Sequence, residues 1–458
     1  MSLAEPTPKL AASDPPPARM PLFGMEKAGR KHPFPNIPPQ AYEVPVLKVP
    51  TITGISYYVV SDPAGVKQVL LDKVANYPKT ERERRYFSAM FGDGLLSTDG
   101  ELWRTHRRTM APSFSPPSVA AYAPAMAASA LAFRTRWDQQ PEGAEIEVAE
   151  AMTDLTLEII ARTMFSTDGA SVSATVRHSM EGAMAELNMN LLDILPVIGD
   201  VRFRAREKRI AAVFAEMDAD IARMIEDRKA NPTDGPQDLL SRLIEARDSE
   251  GGETMSAKEI RDQVVTIFLA GHETTAATMC WVWYLLSQHP TVAARLQAEL
   301  DTVLAGRPPT HEDLPGLTYT RMVVDEALRV YPAAPGISTR VALEADEICG
   351  MKIPKGGMVA IAPWILHRHK LLWDDPGRFD PERFAKDAPE RPRFAYMPFG
   401  GGPKVCIGAS LATTEVMLIL ATLAQRYSLE LKPGHEVEVQ QQITMRPRGG
   451  LPMILHRR

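Results

Sequence analysis

The segment richest in chemistry is Phe399-Gly400-Gly401-Gly402-Pro403-Lys404-Val405-Cys406-Ile407-Gly408. A thiolate is a strong iron ligand, but a lone cysteine must be held deprotonated and supplied with hydrogen bonds. Three consecutive glycines, with Gly408 just beyond the cysteine, let backbone N–H groups turn towards a sulfur without side-chain clashes. The run from Gly408 to Tyr427 has helical spacing and begins right after Cys406. Its positive N-terminal end would lower the thiol pKa. No second Cys or His stands at metal-ligand spacing, which argues against zinc. One thiolate suits a haem iron, whose equatorial ligands come from the porphyrin. A plain buried cysteine and a glycine-rich phosphate cradle are the competing readings of this loop alone.

Four further stretches have the residue types of a working site. Glu326-Ala-Leu-Arg329 sets opposite charges at i and i+3 on one helix face, and Phe379-Asp-Pro381-Glu382-Arg383-Phe384 adds an arginine in a turn-rich stretch. Each alone reads as an ordinary solvated ion pair. Ala270-Gly271-His272-Glu273-Thr274 puts small and polar residues into an apolar helical run, and Trp103-Arg-Thr-His106-Arg107 pairs an aromatic with basic groups.

The order and spacing of these motifs resemble the cytochrome P450 superfamily of haem-thiolate monooxygenases, over about residues 40–458. The resemblance implies haem b with Cys406 as the proximal iron ligand, in a loop where Phe399, Gly400, Lys404 and Gly408 contact the cofactor. It implies a structural triad of Glu326, Arg329 and Arg383. Trp103, His106, Arg107 and Arg340 would reach the haem propionates. Lys404 departs from the Arg or His usual in this family two residues before the cysteine, and offers a point charge in place of a planar fork. Ala270 and Gly271 would let dioxygen and substrate approach the iron. Thr274 would donate a proton during oxygen activation and Glu273 would feed protons inward, since O–O cleavage must release one oxygen as water. The substrate pocket would be lined by Phe87, Met90, Phe91, Leu187, Leu191, Phe268, Ala334, Ile337, Ile443 and Met445. Those walls are apolar, so an apolar substrate is expected. Arg82, Arg84 and Arg85 could meet a carboxylate, although a solvated basic loop is the simpler reading.

The expected activity is insertion of one atom of O2 into an organic substrate, with electrons drawn indirectly from NAD(P)H through redox partners. The cysteine loop lies near the end of the sequence, and no flavin or iron–sulfur module is evident. A separate ferredoxin or flavodoxin with its reductase is therefore expected, meeting the face around Lys404 and Arg107. Peroxide-driven oxidation or oxygen-independent rearrangement on the same fold is disfavoured by the Glu273–Thr274 pair. A haem sensor without catalysis is the alternative outside enzymes.

These residues need a scaffold. Helical spacing covers 118–137, 145–164, 203–229 and 257–288. Strand signals are confined to 44–60 with a turn at Gly54, to 347–361 and to 427–455. The expected class is mainly α, a cytochrome P450 fold with a long central helix over the haem and a small β subdomain. That helix starts at a Ser256–Glu259 capping box and ends before Pro290, about 50 Å at 1.5 Å per residue. It is apolar on nearly all sides. His272, Glu273 and the threonines at its middle would be expensive in lipid, so it is read as a buried core helix.

The chain has 458 residues and a formal charge of −5, which argues against a nucleic-acid partner. Cys280, Cys349 and Cys406 are too few and scattered for a disulfide framework, and point to a reduced, cytoplasmic protein. The first 40 residues are proline-rich and show neither a signal peptide nor a membrane anchor. Residues 1–20 are expected to form a disordered tail, and 21–458 one catalytic domain.

Overall fold

The computed structural model describes residues 10–11, 29, 32–51, 56–167, 175–179, 182–183, 186, 198–231, 238–246 and 255–458. Its α-helices are α1 (Pro63–Lys67), α2 (Glu81–Phe91), α3 (Gly100–Met110), α4 (Pro116–Asp138), α5 (Val148–Phe165) and α6 (Ile198–Ala230). They continue with α7 (Leu239–Glu245), α8 (Ala257–Gln288), α9 (Pro290–Leu304), α10 (Thr318–Val330), α11 (Pro363–Leu366) and α12 (Ala409–Ala424). The strands are β1 (Val46–Val49), β2 (Tyr57–Val60), β3 (Glu145–Glu147), β4 (Arg340–Val341), β5 (Asp346–Ile348), β6 (Met351–Ile353), β7 (Met358–Ala360), β8 (Tyr427–Leu431), β9 (Val439–Gln441), β10 (Met445–Pro447) and β11 (Pro452–Arg457).

Two compact units emerge, neither continuous in sequence. One comprises 1–80, 130–153 and 274–458; the other 81–129 and 154–273. Every described strand falls in the first unit. Its main sheet has the order β1-β2-β7-β4, with β1 and β2 antiparallel from Val46 opposite Val60, and β7 parallel to β2. A three-stranded sheet runs β3-β11-β8, and two hairpins pair β9 with β10 and β5 with β6. The Gly54 turn lies outside the described residues. Among the described residues the second unit holds helices and no strand.

The capping pattern that starts α8 is realised in full. Ser256 N–H donates to the Glu259 carboxylate at 2.8 Å, and Glu259 N–H donates to Ser256 Oγ at 3.2 Å. The helix ends where Pro290 opens α9. The start of α5 differs from the expectation. Glu145–Glu147 form an edge strand against β11, and the helix begins at Val148. Tertiary pairing outweighs local helical spacing over those three residues.

Most of the expected tail lies outside the described residues. Leu10 and Ala11 do not behave as free chain: Leu10 is buried, Ala11 N–H donates to Tyr284 Oη at 3.1 Å, and Tyr331 Oη donates to the Ala11 carbonyl at 2.6 Å. Among the described residues no helix is long and apolar enough to cross a membrane.

Candidate functional site

The cysteine loop is built on the main sheet of the first unit. Phe394 and Met397 insert into an apolar cluster with Val69, Leu70, Val359 and Ile361, which anchors the loop's leading edge. Beyond it the backbone doubles back: Gly400 N–H donates to Met397 O at 3.0 Å, Val405 N–H to Gly402 O at 3.1 Å, and Cys406 N–H to Phe399 O at 2.9 Å. Gly402 has φ +68°, and a Cβ there would collide with the Leu70 carbonyl oxygen, so both backbone conformation and close approach demand glycine. Gly408 caps the N-terminus of α12 two residues after the cysteine. Cys406 and Val405 are exposed, with Lys404 partly buried.

The triad carboxylate sits in the same unit and is fully buried. Arg329 donates to Glu326 from Nε at 2.6 Å and from Nη2 at 2.8 Å. Asp380 N–H donates to the same carboxylate at 2.8 Å, and Arg383 Nε approaches it at 3.4 Å as an ion pair outside hydrogen-bond geometry. Arg329 also donates to the carbonyls of His367, Pro376 and Arg378, each at 2.8 Å. His367 was not anticipated from the sequence. Its Nδ1–H donates to the Arg329 carbonyl at 3.3 Å and its Nε2 accepts from Met397 N–H at 2.9 Å. Burial, then the Arg329 and Arg368 charges, pushes its pKa down to about 3. A neutral histidine thus ties the ion-pair core to the foot of the cysteine loop. Nothing in the spacing around Trp364-Ile-Leu-His367 signals this, because both contacts are long-range.

The first unit also gathers part of the expected pocket wall. Met445 N–H donates to the Ala333 carbonyl at 2.9 Å, while Trp281 Nε1 donates to Met445 O at 2.9 Å. Ala334, Ile337 and Ile443 are partly exposed, and Ile337 lies beside Gly400 of the cysteine loop. Arg340 is buried in β4.

Helix α8 is buried at every position from Asp262 to Leu286 except Ala270, Gly271, Glu273 and Thr274. Positions i, i+3 and i+4 share one face, so Ala270, Glu273 and Thr274 open the buried helix on a small, polar patch at its midpoint, with Gly271 at its edge. His272 between them is turned inward, donating from Nδ1 to the Phe268 carbonyl.

In the second unit α3 presents Trp103, buried, and Arg107, partly buried, one turn apart. His106 is buried, and its Nδ1 accepts from Gln263 Nε2 at 3.0 Å. Desolvation lowers its pKa. Gln263 also donates to Asp93 O at 3.3 Å and accepts from Leu95 N–H at 3.1 Å, so it clamps the 92–98 turn to α8. Phe87 stacks on the buried Phe91, with ring centroids 6.1 Å apart, and Met90 is buried beside it in sequence. Phe268 is fully buried against Phe165 at 4.4 Å, a core position. Arg85 is engaged with Asp200 at 3.0 Å and with the Phe203 ring. Leu187 and Leu191 lie outside the described residues.

The donor set fits haem. Among the described residues no cluster of three His, Cys, Asp or Glu could hold a metal ion, so a metal at this loop must bring its own remaining ligands. An exposed thiol flanked by the exposed, apolar Val405, on a loop narrowed by obligatory glycine, suits a flat apolar macrocycle.

The comparisons with known proteins agree. The cytochrome P450 family model matches residues 15–451. The chain is similar to cyclooctatin synthase of Streptomyces melanosporofaciens, 37% identical over 85% of this chain and 84% of that one. It is similar to cyclooctat-9-en-7-ol 5-monooxygenase of the same organism, 37% identical over 82% and 81%. Pentalenene oxygenase of Streptomyces avermitilis is 33% identical over 83% and 84%. A crystal structure of the cytochrome P450DA heme domain matches with a TM-score of 0.80 at 28% identity, covering 90% of each chain. The chain belongs to the cytochrome P450 family. It is a monooxygenase that uses haem b and O2, with electrons from NAD(P)H through redox partners.

Proposed function

We propose that the chain hydroxylates an apolar small molecule, with Cys406 as the iron's proximal ligand and the Glu273–Thr274 pair moving the proton. The observation that carries this reading is the partly exposed set Ala270, Gly271, Glu273 and Thr274 within the otherwise buried 262–286 run of the helix. Haem, when bound, supplies dioxygen activation and the electron-accepting centre. The chain's own residues do the rest. Ala270 and Gly271 keep the face low enough for a small molecule to approach. The Glu273 carboxyl passes a proton from solvent to the Thr274 hydroxyl one residue on, and that hydroxyl donates it at the reacting oxygen. By the family resemblance Trp103, Arg107, Arg340 and Lys404 would hold the propionates; His106, with Nδ1 engaged by Gln263, would use its other nitrogen for such a contact.

The apolar substrate is supported by the partly exposed Ile337 beside the cysteine loop, and by the names of two relatives' substrates: cyclooctat-9-en-7-ol, with one hydroxyl, and pentalenene, with none. A ferredoxin or flavodoxin with its reductase would deliver the electrons. One relative, from Bacillus subtilis, is named as a bifunctional P450 and NADPH–P450 reductase, and this chain covers 34% of it. Three scattered cysteines support a reducing, cytoplasmic setting. The 21–458 span would act as one catalytic domain.

The test is a compound panel read by the ferric Soret band, followed by turnover. Neutral hydrocarbons and mono-alcohols should shift the haem to high spin and yield hydroxylated product with a ferredoxin or flavodoxin system. A response confined to carboxylates would overturn the apolar pocket, and product formed only with added peroxide would overturn the monooxygenase cycle.

A further inference from the structure

We propose that Thr156 is a positioning residue for the oxygen-activating turn, gripping α8 from behind its reactive face. Helix α5 carries three threonines that could behave alike. Thr153 donates to the Ala149 carbonyl and Thr163 to the Ile159 carbonyl, each at 2.7 Å, the usual bond back to a helix's own preceding turn. The Thr156 hydroxyl donates across to the His272 carbonyl of α8 at 3.1 Å, with Thr156 fully buried.

Two more contacts lie along the same pair of helices. Ile160, one turn after Thr156, presses on Gly271 so closely that a Cβ there would stand 2.6 Å from Ile160 Cδ1. Phe165 stacks on Phe268 with ring centroids 4.4 Å apart. The ring stack and the Ile160–Gly271 contact fix how near α5 lies to α8. Packing of that kind tolerates small slides and rotations. The Thr156–His272 bond is directional and selects one register. At 3.6 residues per turn, His272 and Thr274 lie about 200° apart around the helix, so a hold on His272 sets the aim of Thr274 from the far side. Glycine at 271 is required by this close approach of Ile160.

The inference rests on the Glu273–Thr274 reading, and the test separates the two. Thr156→Val keeps the shape and removes the hydroxyl; Thr156→Ala is the second hydroxyl-free variant should the first not accumulate. Haem content and the thiolate-type carbon monoxide spectrum should stay as in the parent, as should the substrate-induced spin shift. The fraction of electrons ending as hydrogen peroxide should rise about fivefold, the change that one net hydrogen bond corresponds to. Amide exchange over 270–276 of the haem-loaded protein should quicken by a similar factor. Thr156→Ser should restore both, and Thr163→Val, which removes an own-helix bond, should alter neither. Parent-like coupling and exchange in Thr156→Val, beside uncoupling in Thr274→Ala, would overturn the positioning role alone. Unchanged coupling in both would overturn the threonine relay and this inference with it.

Discussion

Replacing Glu326 by alanine should cost more stability than any other single change in the buried triad except loss of Arg329. The carboxylate accepts two bonds from Arg329 and one from Asp380 N–H, all within 2.8 Å, and sits at 0% exposure with Arg329. Removing it strands a buried guanidinium, which costs roughly 3–5 kcal/mol. The orphaned Asp380 N–H adds about 1–3 kcal/mol. Together these approach the whole stability of a typical fold, about 5–15 kcal/mol. Arg383 contributes less: it meets Glu326 at 3.4 Å outside hydrogen-bond geometry and keeps one bond, to Asp375 O at 2.9 Å. Arg383→Ala should therefore cost only about 1–2 kcal/mol. Urea unfolding followed by far-UV dichroism, with the haem-to-protein absorbance ratio as a second readout, measures both. A Glu326→Ala protein within 1 kcal/mol of the parent and fully haem-loaded would refute the reasoning, as would Arg383→Ala proving the more damaging of the two, against a scale of roughly 1 kcal/mol for an ordinary surface pair.

Three other outcomes are expected. Thr274→Ala should leave substrate-induced spin shifts nearly unchanged while product per electron falls and hydrogen peroxide rises, whereas Glu273→Gln should slow cofactor oxidation as a whole; parallel assays of the three quantities decide. Glu415 in α12 is fully buried, has an oxygen with no hydrogen-bond partner and is pushed well above the usual carboxylate range by desolvation. A raised carboxyl pKa stabilises the fold only below the unfolded value and is lost as pH rises, so Glu415→Gln should stabilise by about 1 kcal/mol at pH 8 and by little at pH 4 in thermal melts. His367, held neutral by burial and by the Arg329 and Arg368 charges, should drain stability as pH falls from about 6.5 towards its folded value of about 3. His367→Gln should flatten that acid limb in urea titrations, and an unchanged limb would show that other groups govern it.

Much of the scaffold was legible because its signals are local. The Ser256–Glu259 box and Pro290 bracket α8, and the β-rich stretches at 44–60, 347–361 and 427–455 overlap every described strand other than β3 and β4. The three residues misread as helix, Glu145–Glu147, are decided by pairing with β11, some 300 residues away in sequence. Glu326 and Arg329 announce themselves by spacing. Their anchoring does not, because it runs through carbonyls of His367, Pro376 and Arg378 that any residue type could supply. His367 and Thr156 share that invisibility: each acts through a backbone group of a distant segment. Leu10 and Ala11 illustrate the converse, where composition suggests loose chain and two tyrosine hydroxyls bind it.

The central claim is that Cys406 is the thiolate ligand of a haem iron. The most direct test is the Soret band of the reduced protein under carbon monoxide, for the parent and for Cys406→Ser, with folding checked by far-UV dichroism. The parent should show the strongly red-shifted band of thiolate-ligated haem, and the serine protein should lose it while staying folded. An unshifted band in a folded, haem-loaded parent, or a red-shifted band that survives Cys406→Ser, would contradict the assignment.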